Sequence, residues 1–400
     1  MKLGIVRETK NPPDKRVPFT PHQCRELLDS NPSLDIIIQP DTYRCYKDEE
    51  YKNADVPLQE DVTACNVLIG VKEVAIDALI DNKTYIFFSH TAKKQPYNRD
   101  LIRAILDRRI RLIDYEYLTR RDNTRVVAFG RWAGIVGAYN GLRAYGLREN
   151  KFDLKAANLC DDMSDLLQEL KKVEAGQSRI AITGGGRVAG GAIEILEAAG
   201  ISRVSPEEYM DIDFDKAVYV QLEPWHYTAR KDGKAFSFDH FVQNPSAYEN
   251  SFEPYAMRTD IFIPCHFWDP QSPVFLTDEI MADSGFPIKV IADISCDISG
   301  PIPSTIRAST IAEPLYGYDP HKKIETAPFL PGSVTVMAVD NLPGELPRDA
   351  SEDFGNALIE NVIPALLGAE DDGMLERATI AENGALTERY AYLQDYVDGK

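Results

Sequence analysis

Between positions 178 and 199 the chain places a strand, a glycine turn and a helix in direct succession, which constrains the fold more than any other feature. Ser178-Arg179-Ile180-Ala181-Ile182-Thr183 is a short apolar run, Gly184-Gly185-Gly186-Arg187-Val188-Ala189 follows, and Gly190 through Ala199 has helical character up to Gly200. The turn has the form G-x-G-x-x-A. Gly184 permits the tight turn, Gly186 lets the backbone approach a pyrophosphate, and the small Ala189 lets the helix pack closely. The free N–H groups and positive dipole end of such a helix then face the phosphates. A bound dinucleotide is therefore expected, with Gly184, Gly186, Arg187, Val188 and Ala189 around it; the alternative is a glycine turn without a ligand.

The following strand, Ile201 to Ser205, ends in Ser205-Pro206, with Glu207 and Glu208 just beyond and Arg203 nearby. No acid closes that strand to take the ribose, so a 2′-phosphate is tolerable and the expected cofactor is NADP or NAD.

Apolar runs at Leu3 to Arg7, Asp35 to Ile38, Val67 to Val71, Tyr85 to Phe88 and Arg111 to Asp114 alternate with helical stretches such as Arg99 to Arg108. A long helical pattern from Trp132 to Leu147 carries Ala133, Gly134, Gly137 and Ala138, small enough for another backbone to approach. The strand–helix alternation restarts at Ser178 and includes Lys216 to Val220, Ile261 to Pro264 and Lys289 to Ile294; a strand-like Val334 to Val339 and polar helices from Ser351 follow. The pattern predicts an α/β protein of two Rossmann-like lobes with mainly parallel sheets and an active site in the cleft between them. The expected substrate lobe is discontinuous, 1–131 plus 326–400, and the dinucleotide lobe spans 132–325.

At 400 residues, 44% of them hydrophobic and 27% charged, the chain can bury a large core. Its net charge of −19 repels phosphate backbones and anionic lipid, and no apolar stretch reaches membrane-spanning length. Nucleic-acid and membrane partners are thus unexpected, and a cytoplasmic location fits an N-terminus without a signal-length apolar run. Cys24, Cys45, Cys65, Cys160, Cys265 and Cys296 are scattered, with no C-x-x-C pair, and neighbouring Cys265 and His266 on a strand would point to opposite faces. No metal site is expected.

Several stretches together resemble the lysine-ketoglutarate reductase and saccharopine dehydrogenase group, relatives of alanine dehydrogenase and the transhydrogenase N-terminal region. They are GIVRETK, KRVPFTP, VLIGVKE, IFFSHTAKKQ, LIDYEYL, VVAFGRWAG, ADISCDISGPI and AVDNLPGELPRDAS, spread over most of the chain. The region from Ala229 to Trp268 also looks like the reductase domain that is fused to a dehydrogenase in animal and plant bifunctional enzymes. The resemblance implies a reductase acting alone, with amino-acid and oxo-acid substrates, that interconverts saccharopine with lysine and 2-oxoglutarate. An alanine dehydrogenase-like enzyme with a smaller 2-oxo acid, or an inactive dinucleotide-binding protein, are the alternatives. The oligomeric state stays open.

Forming and reducing an imine needs proton-transfer groups, cations for carboxylates and a dry pocket. Lys72 and His90 follow apolar runs, at positions where carboxyl ends of strands bind ligands in open sheets, and the resemblance assigns the acid–base pair to the same two residues. Glu116, in the matching DYE stretch, is expected to tune or orient them. A solvated lysine beside Glu73 and a buried, hydrogen-bonded histidine are the bland readings. Guanidinium groups suit a substrate with several carboxylates. Arg16 is the first candidate, Gln95 and Arg125 match positions facing substrate in the resembled group, and Arg131 replaces a commonly uncharged residue. Asp293 and Asp297 are expected either to approach the nicotinamide ribose or carboxamide, or to close the preceding strand as Asx-turns.

Overall fold

The computed structural model describes residues 1–11 and 14–400. The chain forms two compact units, Met1–Phe129 with Pro347–Lys400, and Gly130–Leu346.

In the first unit, Lys2–Ile5 (β1), Asp35–Ile38 (β2), Val67–Ile69 (β3), Thr84–Phe87 (β4) and Arg111–Asp114 (β5) form a parallel array in the order β5-β4-β3-β1-β2. Their apolar side chains are almost wholly buried, as expected where helices cover both faces of a parallel sheet. The helix Pro21–Ser30 begins at a capping box: Gln23 N donates to Thr20 Oγ1 at 3.2 Å, and Thr20 N donates to Gln23 Oε1 at 2.9 Å. The same Gln23 reaches the helix Pro347–Asn361, its Nε2 donating to Glu352 O at 2.8 Å and Asn356 Oδ1 at 2.7 Å. Together with the Val17 N to Ser351 Oγ bond of 2.9 Å, these contacts tie the returning C-terminal segment to the first sheet.

The second unit holds an eight-stranded sheet. Its strands are Arg179–Thr183 (β6), Ser202–Val204 (β7), Val218–Leu222 (β8), Ile261–Pro264, Val290–Ala292, Leu315–Asp319, Ile324–Thr326 and Val334–Met337. A separate antiparallel pair, Thr228–Arg230 (β9) and Tyr248–Asn250 (β10), lies between β8 and Ile261–Pro264 (β11). With Val290–Ala292 as β12, Leu315–Asp319 as β13, Ile324–Thr326 as β14 and Val334–Met337 as β15, the spatial order is β14-β13-β15-β12-β11-β6-β8-β7. The chain returns to the first unit at Pro347 rather than at 326, because β15 is hydrogen-bonded between β12 and β13 and cannot leave this sheet.

β7 lies at the edge of the sheet, and β8 takes the place beside β6. The C-terminal stretch is not helical throughout, since Thr379–Glu382 (β16) pairs antiparallel with β5 and with Ala385–Leu386 (β17), burying Ile380 and Ala381. The mainly parallel character survives, with antiparallel strands added at the edges. Among the described residues, no helix is long and apolar enough to cross a membrane.

The helix Gly130–Glu149 packs on the helix Arg187–Ala198 through reciprocal glycines. A Cβ on Gly134 would stand 1.9 Å from Val188 O, and one on Gly191 would stand 2.0 Å from Arg131 O. Of the small residues expected to admit another backbone, Gly134 does so, whereas Gly137 faces the side chains of Ile294 and Leu342. Gly134→Ala should therefore destabilise the protein by roughly 1–3 kcal/mol through overpacking. Gly190, whose Cβ would meet nothing within 4 Å, should accept alanine with no loss or a gain of about 0.5–1 kcal/mol. Urea unfolding of the two variants against the parent checks the contrast.

Candidate functional site

Parallel pairing brings the carboxyl ends of β1, β3, β4 and β5 to one edge of the first sheet, and each is followed by polar residues. Glu8 follows β1, Lys72 and Glu73 follow β3, Ser89 and His90 follow β4, and Asp114 to Glu116 close β5. Glu8 accepts from Val71 N at 2.6 Å and Lys72 N at 2.9 Å, which fixes the backbone that carries Lys72. Burial, with a contribution from Asp14, pushes the Glu8 carboxyl up to about 8, against the pull of those two N–H donors. Buried Asp114 accepts from Ser89 N at 3.0 Å, Ser89 Oγ at 2.5 Å and Glu116 N at 2.8 Å, joining the loops after β4 and β5.

Lys72 is partly buried, and no hydrogen bond or ion pair within 4 Å engages its ammonium among the described residues. Burial lowers its proton affinity, and the nearby Arg16 charge lowers it further, partly offset by Asp14. His90 stands in the left-handed region at φ 53°, a strained conformation for a residue with a Cβ, with its ring stacked on Phe88. Its Nδ1 lies 2.9 Å from Glu73 Oε1, and Lys10 Nζ is 3.2 Å from both Glu73 oxygens. Glu73 is thus no solvated neighbour. Burial works against its charge, but the His90 hydrogen bond, with Lys10 and the ring's own charge, holds the carboxyl down at about 2.

Other expected residues have more specific partners than their sequence positions suggest. Glu116 accepts from Arg125 Nη2 at 2.8 Å and pairs with Lys93 Nζ at 3.0 Å, cations of its own neighbourhood rather than Lys72 or His90. Arg125 keeps half of its side chain exposed. Arg16 is buried against Asp14, its Nε to Oδ1 at 2.9 Å and Nη2 to Oδ2 at 2.6 Å, and its guanidinium lies 4.1 Å from the Phe129 ring centre. The Arg16 ion pair holds the Asp14 carboxyl well below the usual range despite its burial. Gln95 accepts from the Tyr97 hydroxyl. Arg131 belongs to the second unit, where it forms a bidentate pair with Glu194 at 2.8 and 2.7 Å across the two glycine-packed helices.

The glycine turn of the second unit has the geometry of a phosphate cradle. Gly184 takes φ +100°, and a Cβ there would stand 2.8 Å from Cys265 O. Gly186 is the N-cap in extended conformation, so the helix starts at Arg187 rather than at Gly190; Arg187, Val188 and Ala189 form its first turn. A Cβ on Gly186 would meet nothing within 4 Å, whereas Ala189 is buried. Open space over the turn and free N–H groups at the helix start fit a pyrophosphate. The carboxyl end of β8 carries Glu223, whose Oε1 would be 2.2 Å from a Cβ on Gly185. Arg203, on β7, donates to Gln221 Oε1 at 2.8 Å, and Gln221 Nε2 donates to Gly184 O at 3.0 Å.

Asp293 closes β12 by accepting from Cys296 N at 3.1 Å, Ser295 Oγ at 2.6 Å and Thr305 Oγ1 at 2.6 Å, the local-turn alternative. Asp297 is half-buried, and burial with the Asp293 charge pushes its carboxyl up to about 6. His266 is buried with Nδ1 2.7 Å from Thr183 Oγ1, and burial pushes its proton affinity down to about 3, so the ring is neutral. Among the described residues, no group of three or more His, Cys, Asp or Glu side chains has metal-holding geometry.

Sequence reasoning missed Glu8, Asp14, Lys93 and Glu223. Glu8 lies in GIVRETK and Lys93 in SHTAKKQ, so their signal was present in the resembled stretches. Glu223 ends the apolar run Val218–Leu222, but that strand's place beside β6 is a property of the sheet order.

Residues 4–136 match the family model of the alanine dehydrogenase/PNT N-terminal domain. The resemblance read from the sequence holds. The chain is 29% identical over 98% of its length to mitochondrial alpha-aminoadipic semialdehyde synthase of Mus musculus, and spans about half of that protein, 47%. It is 26% identical to saccharopine dehydrogenase [NAD(+), L-lysine-forming] of Yarrowia lipolytica, over 91% of this chain and 92% of that protein. A solved L-alanine dehydrogenase shares the fold with a TM-score of 0.66 at 16% identity, covering 100% of this chain and 99% of the other.

The Glu73–His90 pair predicts a pH signature. A carboxyl with an unfolded value near 4.5 and a folded value of about 2 contributes stability above pH 4.5 that is lost as pH falls toward 2. The stability difference between the parent and Glu73→Gln should be on the order of 2 kcal/mol near neutrality and shrink through that window. Chemical denaturation at a series of pH values measures it.

Proposed function

We propose that the chain is a nicotinamide-dinucleotide oxidoreductase acting on the carbon–nitrogen bond of an amino acid, interconverting saccharopine with lysine and 2-oxoglutarate. The observation that carries this reading is that the paired parallel strands β3 and β4 bring Lys72, of lowered proton affinity, and His90, held by Glu73, to the same sheet edge. Similarity to saccharopine dehydrogenase over nine-tenths of both chains supports the substrate class.

In the synthetic direction, Lys72 Nζ takes the proton that the substrate ammonium must lose before its nitrogen attacks the 2-oxo carbon. His90, held at Nδ1 by Glu73, presents Nε2 to the carbinolamine oxygen and supplies the proton that leaves with water. A bound reduced nicotinamide supplies the hydride that converts the imine to the amine. The lowered affinity of Lys72 lets it exchange protons near neutrality more readily than an exposed lysine. Arg16 acts on Lys72 through its charge, while Gln95 and the half-exposed Arg125 and Lys93 would receive substrate carboxylates. A dinucleotide would be held at its pyrophosphate by Gly184, Gly186 and the first turn Arg187 to Ala189, and Asp297 would serve its nicotinamide ribose.

The second reading, reductive amination of a smaller 2-oxo acid, draws on the family match over residues 4–136. A substrate screen separates the two. Oxidation of reduced dinucleotide is expected when lysine and 2-oxoglutarate are supplied together, and turnover only with pyruvate and ammonium would replace this reading with the second. Lys72→Met should lower kcat by about 100-fold or more, the usual worth of a positioned acid–base group. Unchanged turnover in that variant would remove Lys72 from the chemistry.

A further inference from the structure

We propose that Glu223 is the residue that selects NAD over NADP, by receiving the hydroxyls of the adenosine ribose and excluding a 2′-phosphate. This inference rests on the reading that the second unit holds a dinucleotide, and it names the residue that decides which one.

In dinucleotide-binding sheets the ribose is met by an acid at the carboxyl end of the strand beside the one that feeds the glycine turn. In this chain that neighbour is β8, five residues of which pair with β6 from Arg179 opposite Val218 to Thr183 opposite Leu222. Glu223 is the next residue. The strand that follows the glycine helix in sequence, β7, lies one place further out and pairs only with β8. An acid sought at the end of β7 is therefore sought one strand away from the cofactor.

The side chain is already at the cradle. Its Oε1 and Oε2 would lie 2.2 and 2.6 Å from a Cβ on Gly185, so the carboxylate occupies the space that the missing side chain of the second turn glycine leaves open. Its backbone N–H donates to His226 Nδ1 at 2.9 Å, which fixes the start of the short helix Pro224–Tyr227 and with it the position of Glu223. Glu207 is a second acid of this neighbourhood: its charge and that of Glu223 both act on His226. A 2′-phosphate brings close to two negative charges and would meet these carboxylates, whereas a 2′-hydroxyl donates to one. The cation on β7, Arg203, is turned to Gln221 at 2.8 Å, and Gln221 in turn holds Gly184 O at 3.0 Å. Arg187 opens the helix at the turn itself, in the place of the pyrophosphate that both dinucleotides share.

Direct binding tests this without turnover. The purified chain, Glu223→Gln and Glu223→Ala are titrated with NADH and with NADPH, following nicotinamide fluorescence. The parent should bind NADH at least about tenfold more tightly than NADPH, and both substitutions should reduce that ratio by about tenfold. A parent that binds NADPH as tightly as NADH, or variants that keep the parent's ratio, would overturn the assignment while leaving the dinucleotide site standing. Binding of neither dinucleotide by the folded parent would overturn the dinucleotide reading and this assignment with it.

Discussion

The carbonyl of Val188 lies 1.9 Å from the place a Cβ would take on Gly134, and the carbonyl of Arg131 lies as close to the missing Cβ of Gly191. Two helices can run backbone against backbone only where both lack side chains at the crossing. This contact holds the first turn of the helix Arg187–Ala198 against the long helix Gly130–Glu149, and so sets where its free N–H groups point. The glycine turn before it, the open space over Gly186 and the approach of Glu223 to Gly185 all presuppose a helix start that does not move. The ion pair of Arg131 with Glu194 spans the same crossing.

In the first unit the organising effect is electrostatic. Lys72 carries a charge into a partly buried position beside Arg16, while Asp14, Glu8 and Glu73 are divided among other partners: Asp14 to Arg16, Glu8 to the backbone of Val71 and Lys72, Glu73 to His90 and Lys10. Had any of these carboxylates paired with the Lys72 ammonium, its proton would be held more firmly. Their commitment elsewhere leaves burial and the Arg16 charge to lower the proton affinity of Lys72. The same division gives His90 a fixed orientation, since Glu73 engages Nδ1.

Local patterns in the sequence carried much of this, because they are local in cause. The strand, three glycines and helix around Gly186 are one continuous segment whose geometry follows from glycine's freedom and helix-terminus chemistry, and Lys72 and His90 stand one loop beyond apolar strands. What depends on the order of strands in space was not legible. The spacing of the glycine turn to the next strand pointed to Ile201–Ser205, yet β8 displaces β7 from the position beside β6, and only that swap brings Glu223 to the turn. Likewise β15 resembles any apolar strand until its pairing with β12 and β13 fixes it in the second sheet. Side-chain partners such as Arg125 and Lys93 on Glu116 depend on loop geometry that no periodicity encodes.

The proposed function requires a dinucleotide on the helix start after Gly186 and an amino-acid substrate beside Lys72 and His90 in the same chain. Amide hydrogen exchange, measured with each ligand separately, tests it most directly. Added dinucleotide should slow exchange at Arg187, Val188 and Ala189, whose amides gain phosphate acceptors, and added saccharopine should slow exchange in the loops carrying Lys72 and His90. Protection elsewhere in the chain, with those segments unchanged under saturating ligand, would contradict the account.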